Sequence, residues 1–198
     1  MTRRFPVVAT IVVIAAVAVM IGLGVWQLQR ARWKEGLLAQ YARAETLPPI
    51  TWPTAPLRSD QLPLFRHATG VCLRPIAQRA VAGENRRGEP GYVHIIDCST
   101  GAEGPGMSVE VGWSKDPNAR FSWAGGAASG IIAPDRRARM RLVAATAPAG
   151  LEPSSPPSIG SIPNNHRSYA LQWFSFAAIA LIIYGLALRK RWKEEPTA

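Results

Sequence analysis

His166 stands where the side chains around it could do chemistry. It follows Pro163-Asn164-Asn165 and heads the run Arg167-Ser168-Tyr169-Ala170-Leu171-Gln172-Trp173-Phe174. Asparagine caps a first helical turn and proline does not extend a helix backwards, so a helix begins here. At helical spacing His166, Tyr169, Ala170, Trp173 and Ala177 share one face. Neutral imidazole is a metal ligand, and two aromatics with two small residues beneath it could hold a flat metallated ring. The same residues also make an ordinary membrane interface, with the histidine bonded near headgroups and Tyr and Trp as belt residues. Residue chemistry alone favours this second reading, because a lone histidine is weak ground for a metal site.

Other candidates are fewer. The chain has two cysteines, Cys72 and Cys98. In an oxidising compartment such a pair most often forms a disulfide; two free thiols come next. A two-Cys, two-His metal site with His67 and His94 ranks last. His94 and Cys98 share a strand face by period two, whereas His67 and Cys72 do not. Arg136, Arg137, Arg139 and Arg141 form the densest basic run of the middle region. They could receive carboxylates, lipid phosphates or an acidic partner surface, although most such runs are solvated faces. No aromatic-basic platform accompanies the charge, which argues against nucleic acid. The chain has no Gly-x-Ser-x-Gly, His-Glu-x-x-His or Walker loop and no obvious carboxylate pair, so it is read as a non-enzyme.

The elements that must position His166 are written in hydropathy. Of 198 residues 47% are apolar, and two uncharged runs dominate, Phe5 to Leu28 and Tyr169 to Leu188. Each is long enough to cross a hydrocarbon core of about 30 Å at about 1.5 Å per residue. Ala16-Val17-Ala18 resembles a cleavage site but lies inside the first run, which continues without a polar break, so the segment is read as a retained anchor. Arg189, Lys190, Arg191 and Lys193 follow the second run, and only Arg167 lies close before it. The positive-inside rule then puts both termini in the cytoplasm and the connecting segment outside. Arg3 and Arg4 before the first run agree, whereas Arg30, Arg32 and Lys34 after it oppose. Ala18 and Gly22 form a small-xxx-small pair suited to close helix approach, by the second span or by a helix of another protein.

Between the spans the expected order is a helical extension over 29–46, a Pro-rich linker over 47–63, a β-rich unit over 64–147 and a second Pro-rich linker over 148–163. The second span is expected over 165–188 and a basic tail over 189–198. Trp26, Trp33 and Leu37 suggest one apolar stripe leaving the bilayer on the first helix. Short strands are expected at 70–74, 92–96, 107–111 and 141–145, with a weaker one at 129–133. Turn clusters at 83–88, 99–101 and 116–118 separate them and favour antiparallel neighbours, hence a small antiparallel sheet or partly closed barrel. The fold class is therefore an α+β membrane protein with two transmembrane helices flanking a small antiparallel β-rich exported domain. From residue 30 to 167 there are 17 Lys and Arg against 11 Asp and Glu, so the charge excess is not confined to the tail.

Two stretches carry a family likeness. Leu23-Gly24-Val25-Trp26-Gln27-Leu28-Gln29-Arg30 with Trp33-Lys34 resembles the Gly-x-Trp-Gln-x-x-Arg-x-x-Trp-Lys signature of the Surfeit locus protein one family. Asn164-Asn165-His166 with Tyr169-Ala170 and Trp173-Phe174 resembles that family's second signature, Asn-Asn-His-x-x-Tyr-Ala-x-x-Trp-Phe. The likeness covers both ends well and the middle poorly: Val111-Gly112-Trp113 stands where relatives carry Arg-Gly-Trp, and Asp97-Cys98 where they carry Thr-Pro. Membership implies a role in assembling haem-copper cytochrome oxidases, with binding and delivery of haem a as the mechanism in bacterial members. The family's membrane-edge histidine maps onto His166, which implies that it supplies a nitrogen to haem iron; Tyr169 and Trp173 are then expected to shape the ring site, and Trp26, Gln27 and Arg30 to face it from the first helix, Arg30 meeting a propionate. The implied partners are oxidase subunit I, haem a synthase and membrane lipids, and the implied location is the bacterial inner membrane.

Overall fold

The computed structural model describes residues 6–53, 55–101 and 106–194. Phe5, Arg3, Arg4 and the tail residues 195–198 lie outside the described residues. The chain divides into a helix unit, Met1–Leu37 with Pro163–Ala198, and a sheet unit, Leu38–Ile162.

Helix α1 spans Val7–Thr46 without a break, joining the apolar run and its polar extension. No proline interrupts it, and Pro48 and Pro49 follow its end, where a pyrrolidine cannot donate to the helical ladder. Helix α2 spans His166–Glu194. Asn165 is its N-cap, since its carbonyl accepts the Tyr169 N–H at 3.1 Å. It runs past Leu188, so Arg189 to Lys193 are helical surface rather than a loose tail. Both helices are long and apolar enough to cross a membrane.

The two helices run antiparallel, because rising numbers on α1 meet falling numbers on α2. The Thr10 hydroxyl bonds with the Tyr184 hydroxyl at 2.5 Å, Gly24 faces the Phe174 ring, and Glu35 holds Arg167 at 2.8 Å. Buried positions on α1 recur every seven residues at Val17, Gly24 and Ala31, and on α2 at Ala170 and Ala177. That heptad row is the pattern of a helix pair. It excludes Ala18 and Gly22: a Cβ added at Gly22 would meet nothing within 4 Å, whereas one at Gly24 would lie 2.6 Å from Phe174 Cε1. Close approach therefore occurs at Gly24.

The sheet unit contains seven strands: β1 Ile50–Thr51, β2 His67–Cys72, β3 Arg74–Glu84, β4 Pro90–Ser99, β5 Met107–Ser114, β6 Gly126–Asp135 and β7 Arg139–Ala144. They form one sheet in the order β1-β2-β6-β7-β5-β4-β3. Four neighbouring pairs are antiparallel, while β1–β2 and β5–β7 are parallel. Strand β5 is buried from Met107 to Trp113, as befits a central strand covered on both faces. Both Pro-rich segments contribute to the unit. Ile50 and Thr51 pair with β2 at its edge, and Glu152 and Ser154 bridge to Trp113 and Asn85.

One apolar cluster gathers Trp52, Ala68, Ile96, Met107, Val109, Val111, Ile132 and Leu142. Within it Cys72 of β2 and Cys98 of β4, strands that are not neighbours, are joined by a disulfide with Cα atoms 5.3 Å apart. Both sulfurs are thus spoken for, and a two-Cys, two-His metal centre is not formed. A second, smaller cluster holds Val93, Ile95 and Trp113. Tight turns close the long hairpins. Gly88 takes φ +76° between β3 and β4, and the Asp135 carboxylate accepts the Arg137 and Ala138 N–H groups between β6 and β7.

Candidate functional site

The six residues singled out at the membrane edges all lie in the helix unit. His166 sits in the first turn of α2 and is half-buried. Its Nδ1 is 2.8 Å from Gln27 Oε1 of α1. Among the described residues its Nε2 has no hydrogen-bond partner. Two further contacts join the helices next to it: Lys34 Nζ donates to the Pro163 carbonyl, and the Arg167 guanidinium reaches both oxygens of Glu35 at 2.8 and 3.0 Å. The histidine is held from its far side by the opposite helix.

The other candidates are distributed unevenly. Tyr169 and Trp26 are half-exposed, at 50% and 53%. Trp173 is partly covered and meets Phe176 edge-on at 6.2 Å. Arg30 is exposed and lies 4.3 Å above the Trp33 ring. Such a stacked guanidinium keeps its donor edges free for an anion. Gln27 bonds to His166 itself. Ala170 and Ala177, which share the histidine's face by spacing, are buried in the heptad row, so they belong to the helix pair and leave no slot beneath the imidazole.

The donor set suits a haem. An imidazole with one nitrogen held by an oxygen acceptor and the other without a partner is the usual state of a metal-ligating histidine. Exposed aromatics and a stacked arginine at the same edge are apt neighbours for a macrocycle with carboxylate arms.

The sheet unit holds a second polar constellation that composition did not reveal. Arg141 Nε donates to Glu110 at 2.6 Å, and its Nη1 lies 3.6 Å from Asp135. Arg79 reaches Asp135 at 3.1 Å and Asp97 at 3.8 Å. Burial pushes the Asp135 carboxyl up, but the Ala138 and Arg137 N–H groups and Arg79 outweigh it and hold the group below its usual range. The basic run 136–141 is thereby divided. Arg141 serves this internal network, Arg139 bonds to Ser59, and Arg136 and Arg137 face solvent. Period-two alternation puts Glu110 and Asp97 on the side opposite the main apolar cluster; what it could not supply is the register that brings Arg79 and Arg141 to them.

No curated protein matches the chain in a sequence search. The family model described as SURF1 family matches residues 14–178. The match takes in Gly24, Trp26, Gln27 and Arg30 on α1, the whole sheet unit, and His166, Tyr169 and Trp173 on α2. With both signatures at the facing edges of one antiparallel helix pair, the chain belongs to the SURF1 family of cytochrome oxidase assembly factors.

Proposed function

We propose that this protein holds haem a at the outer edge of its helix pair and passes it to subunit I of a haem-copper oxidase in the bacterial inner membrane. The observation that carries the reading is His166 in the first turn of α2, anchored through Nδ1 by Gln27, with Nε2 unpartnered among the described residues. The bound haem would contribute an iron with a coordination position open to Nε2. Tyr169, Trp173 and Trp26 offer aromatic faces beside the ring, and Arg30 a guanidinium for a propionate. A single protein nitrogen suits a carrier, since a second strong protein ligand would slow release. Haem a synthase is the natural donor. The arginines and lysines of the last turns of α2, Arg189 to Lys193, support an orientation with both termini in the cytoplasm and the sheet unit outside.

The test is the absorption spectrum of the protein purified from a haem-a-producing host. A haem a spectrum that is lost or strongly shifted in His166→Ala is expected. Protein free of haem, or bound haem indifferent to that substitution, would point instead to a stabiliser of an oxidase intermediate. Normal oxidase activity in a deletion strain lacking any paralogue would point to an envelope scaffold unconnected with respiration.

A further inference from the structure

We infer that Gln27 is a positioning residue: it fixes which nitrogen of His166 faces outward and sets how strongly that nitrogen binds a metal. The ligand-strength half of this inference rests on the haem reading; the tautomer half does not. An amide carbonyl has lone pairs and no proton, so contact between Gln27 Oε1 and His166 Nδ1 at 2.8 Å requires the hydrogen on Nδ1. A neutral imidazole carries one N–H, and Nε2 is therefore the lone-pair nitrogen. Because Gln27 lies on α1 and His166 on α2, the ring is aimed by the helix to which it does not belong.

The identity of the acceptor matters as much as its place. A carboxylate on Nδ1 makes imidazole a stronger donor than an amide carbonyl does, because it takes more of the proton. The one carboxylate close by in sequence, Glu35, is engaged at both oxygens by Arg167. The histidine is left with the weaker, neutral acceptor. For a protein that must give its ligand away, an amide at this position balances orientation against release.

Two measurements on the full chain test this. In the haem-free protein labelled with 15N-histidine, the His166 signal, identified by its loss in His166→Ala, should report protonated Nδ1 and bare Nε2. Gln27→Leu should move it toward the other tautomer or a mixture. In haem-loaded protein, the iron–histidine stretching frequency and the rate of haem transfer to excess apomyoglobin report ligand strength. Gln27→Leu should speed transfer by about 10- to 100-fold, the range for loss of an outer partner of a metal ligand. Gln27→Glu, which keeps an acceptor and guards against a merely misfolded variant, should raise the stretching frequency and slow transfer. A wild-type His166 protonated on Nε2, or a tautomer unmoved by Gln27→Leu, would overturn the inference. A tautomer that follows Gln27 in a protein that takes up no haem would uphold the positioning role and sink the haem reading.

Discussion

His94 is fully buried in β4 and meets Phe121 edge-on at 5.2 Å. Its Nε2 lies 2.8 Å from Ser114 Oγ, whose own proton goes to the Asp116 carbonyl at 2.6 Å, so Nε2 is the donor. Nδ1 is buried with no partner among the described residues. Burial pushes the His94 pKa below its usual 6.5, with Asp116 opposing. As pH falls through about 6.5 the unfolded chain takes up a proton that the folded one refuses, so stability declines on the acid side, by up to about 1.4 kcal/mol per pH unit. The melting midpoint should drop between pH 7.5 and 5.5, and drop less in His94→Gln; equal losses would absolve His94. Glu110→Gln should cost about 1–3 kcal/mol in urea unfolding, because Arg141 keeps Asp135 and the Pro134 carbonyl. Arg136→Ala, by contrast, should stay within about 0.5 kcal/mol of wild type. Neither setting could be read locally. The alternation Val109-Glu110-Val111 says that Glu110 turns away from its neighbours, not that a guanidinium awaits it.

Elements were more legible than their partners. The two helices follow from apolar length and a capped start, and β4 and β5 from β-branched alternation. Most of β3 escaped because Ala77-Gln78-Arg79-Ala80 has little strand character; it is a strand by pairing with β4 over ten positions. The parallel β5–β7 pairing rests on two registered pairs and has no turn to announce it. In the membrane segment, small residues alone pointed to Ala18 and Gly22, whereas the seven-residue burial row selects Gly24. Gly24→Val should therefore destabilise the helix pair by about 1–3 kcal/mol, the usual cost of overpacking, and lower the melting midpoint of the detergent-solubilised protein. Gly22→Val should leave that midpoint unchanged, and equal loss in both variants would contradict the packing described.

At the scale of the molecule, the site was legible through two signatures, each ambiguous alone, that meet only because the helices run antiparallel. The tie from Gln27 to His166 was not legible, since both residues had been assigned to the ring. The disulfide closes a separation of 26 residues between strands that do not pair. Loop-closure entropy then predicts that Cys72→Ala with Cys98→Ala lowers stability by about 3–4 kcal/mol, read as a fall in urea midpoint with a steeper slope, because the unfolded chain without the crosslink exposes more surface. An unchanged midpoint would mean that the unfolded chain is already held compact. The way the chain enters and leaves the sheet unit has a mechanical meaning as well. Entry is stitched by two paired residues of β1 and by the Trp52 N–H to the Thr69 carbonyl; exit is stitched at Glu152 and Ser155. The ladders behind them hold six to ten pairs each in β2–β6, β6–β7 and β3–β4. Under tension the stitches would part first and lengthen the chain at both ends, like a fuse that spares the core when the membrane or a docked partner pulls.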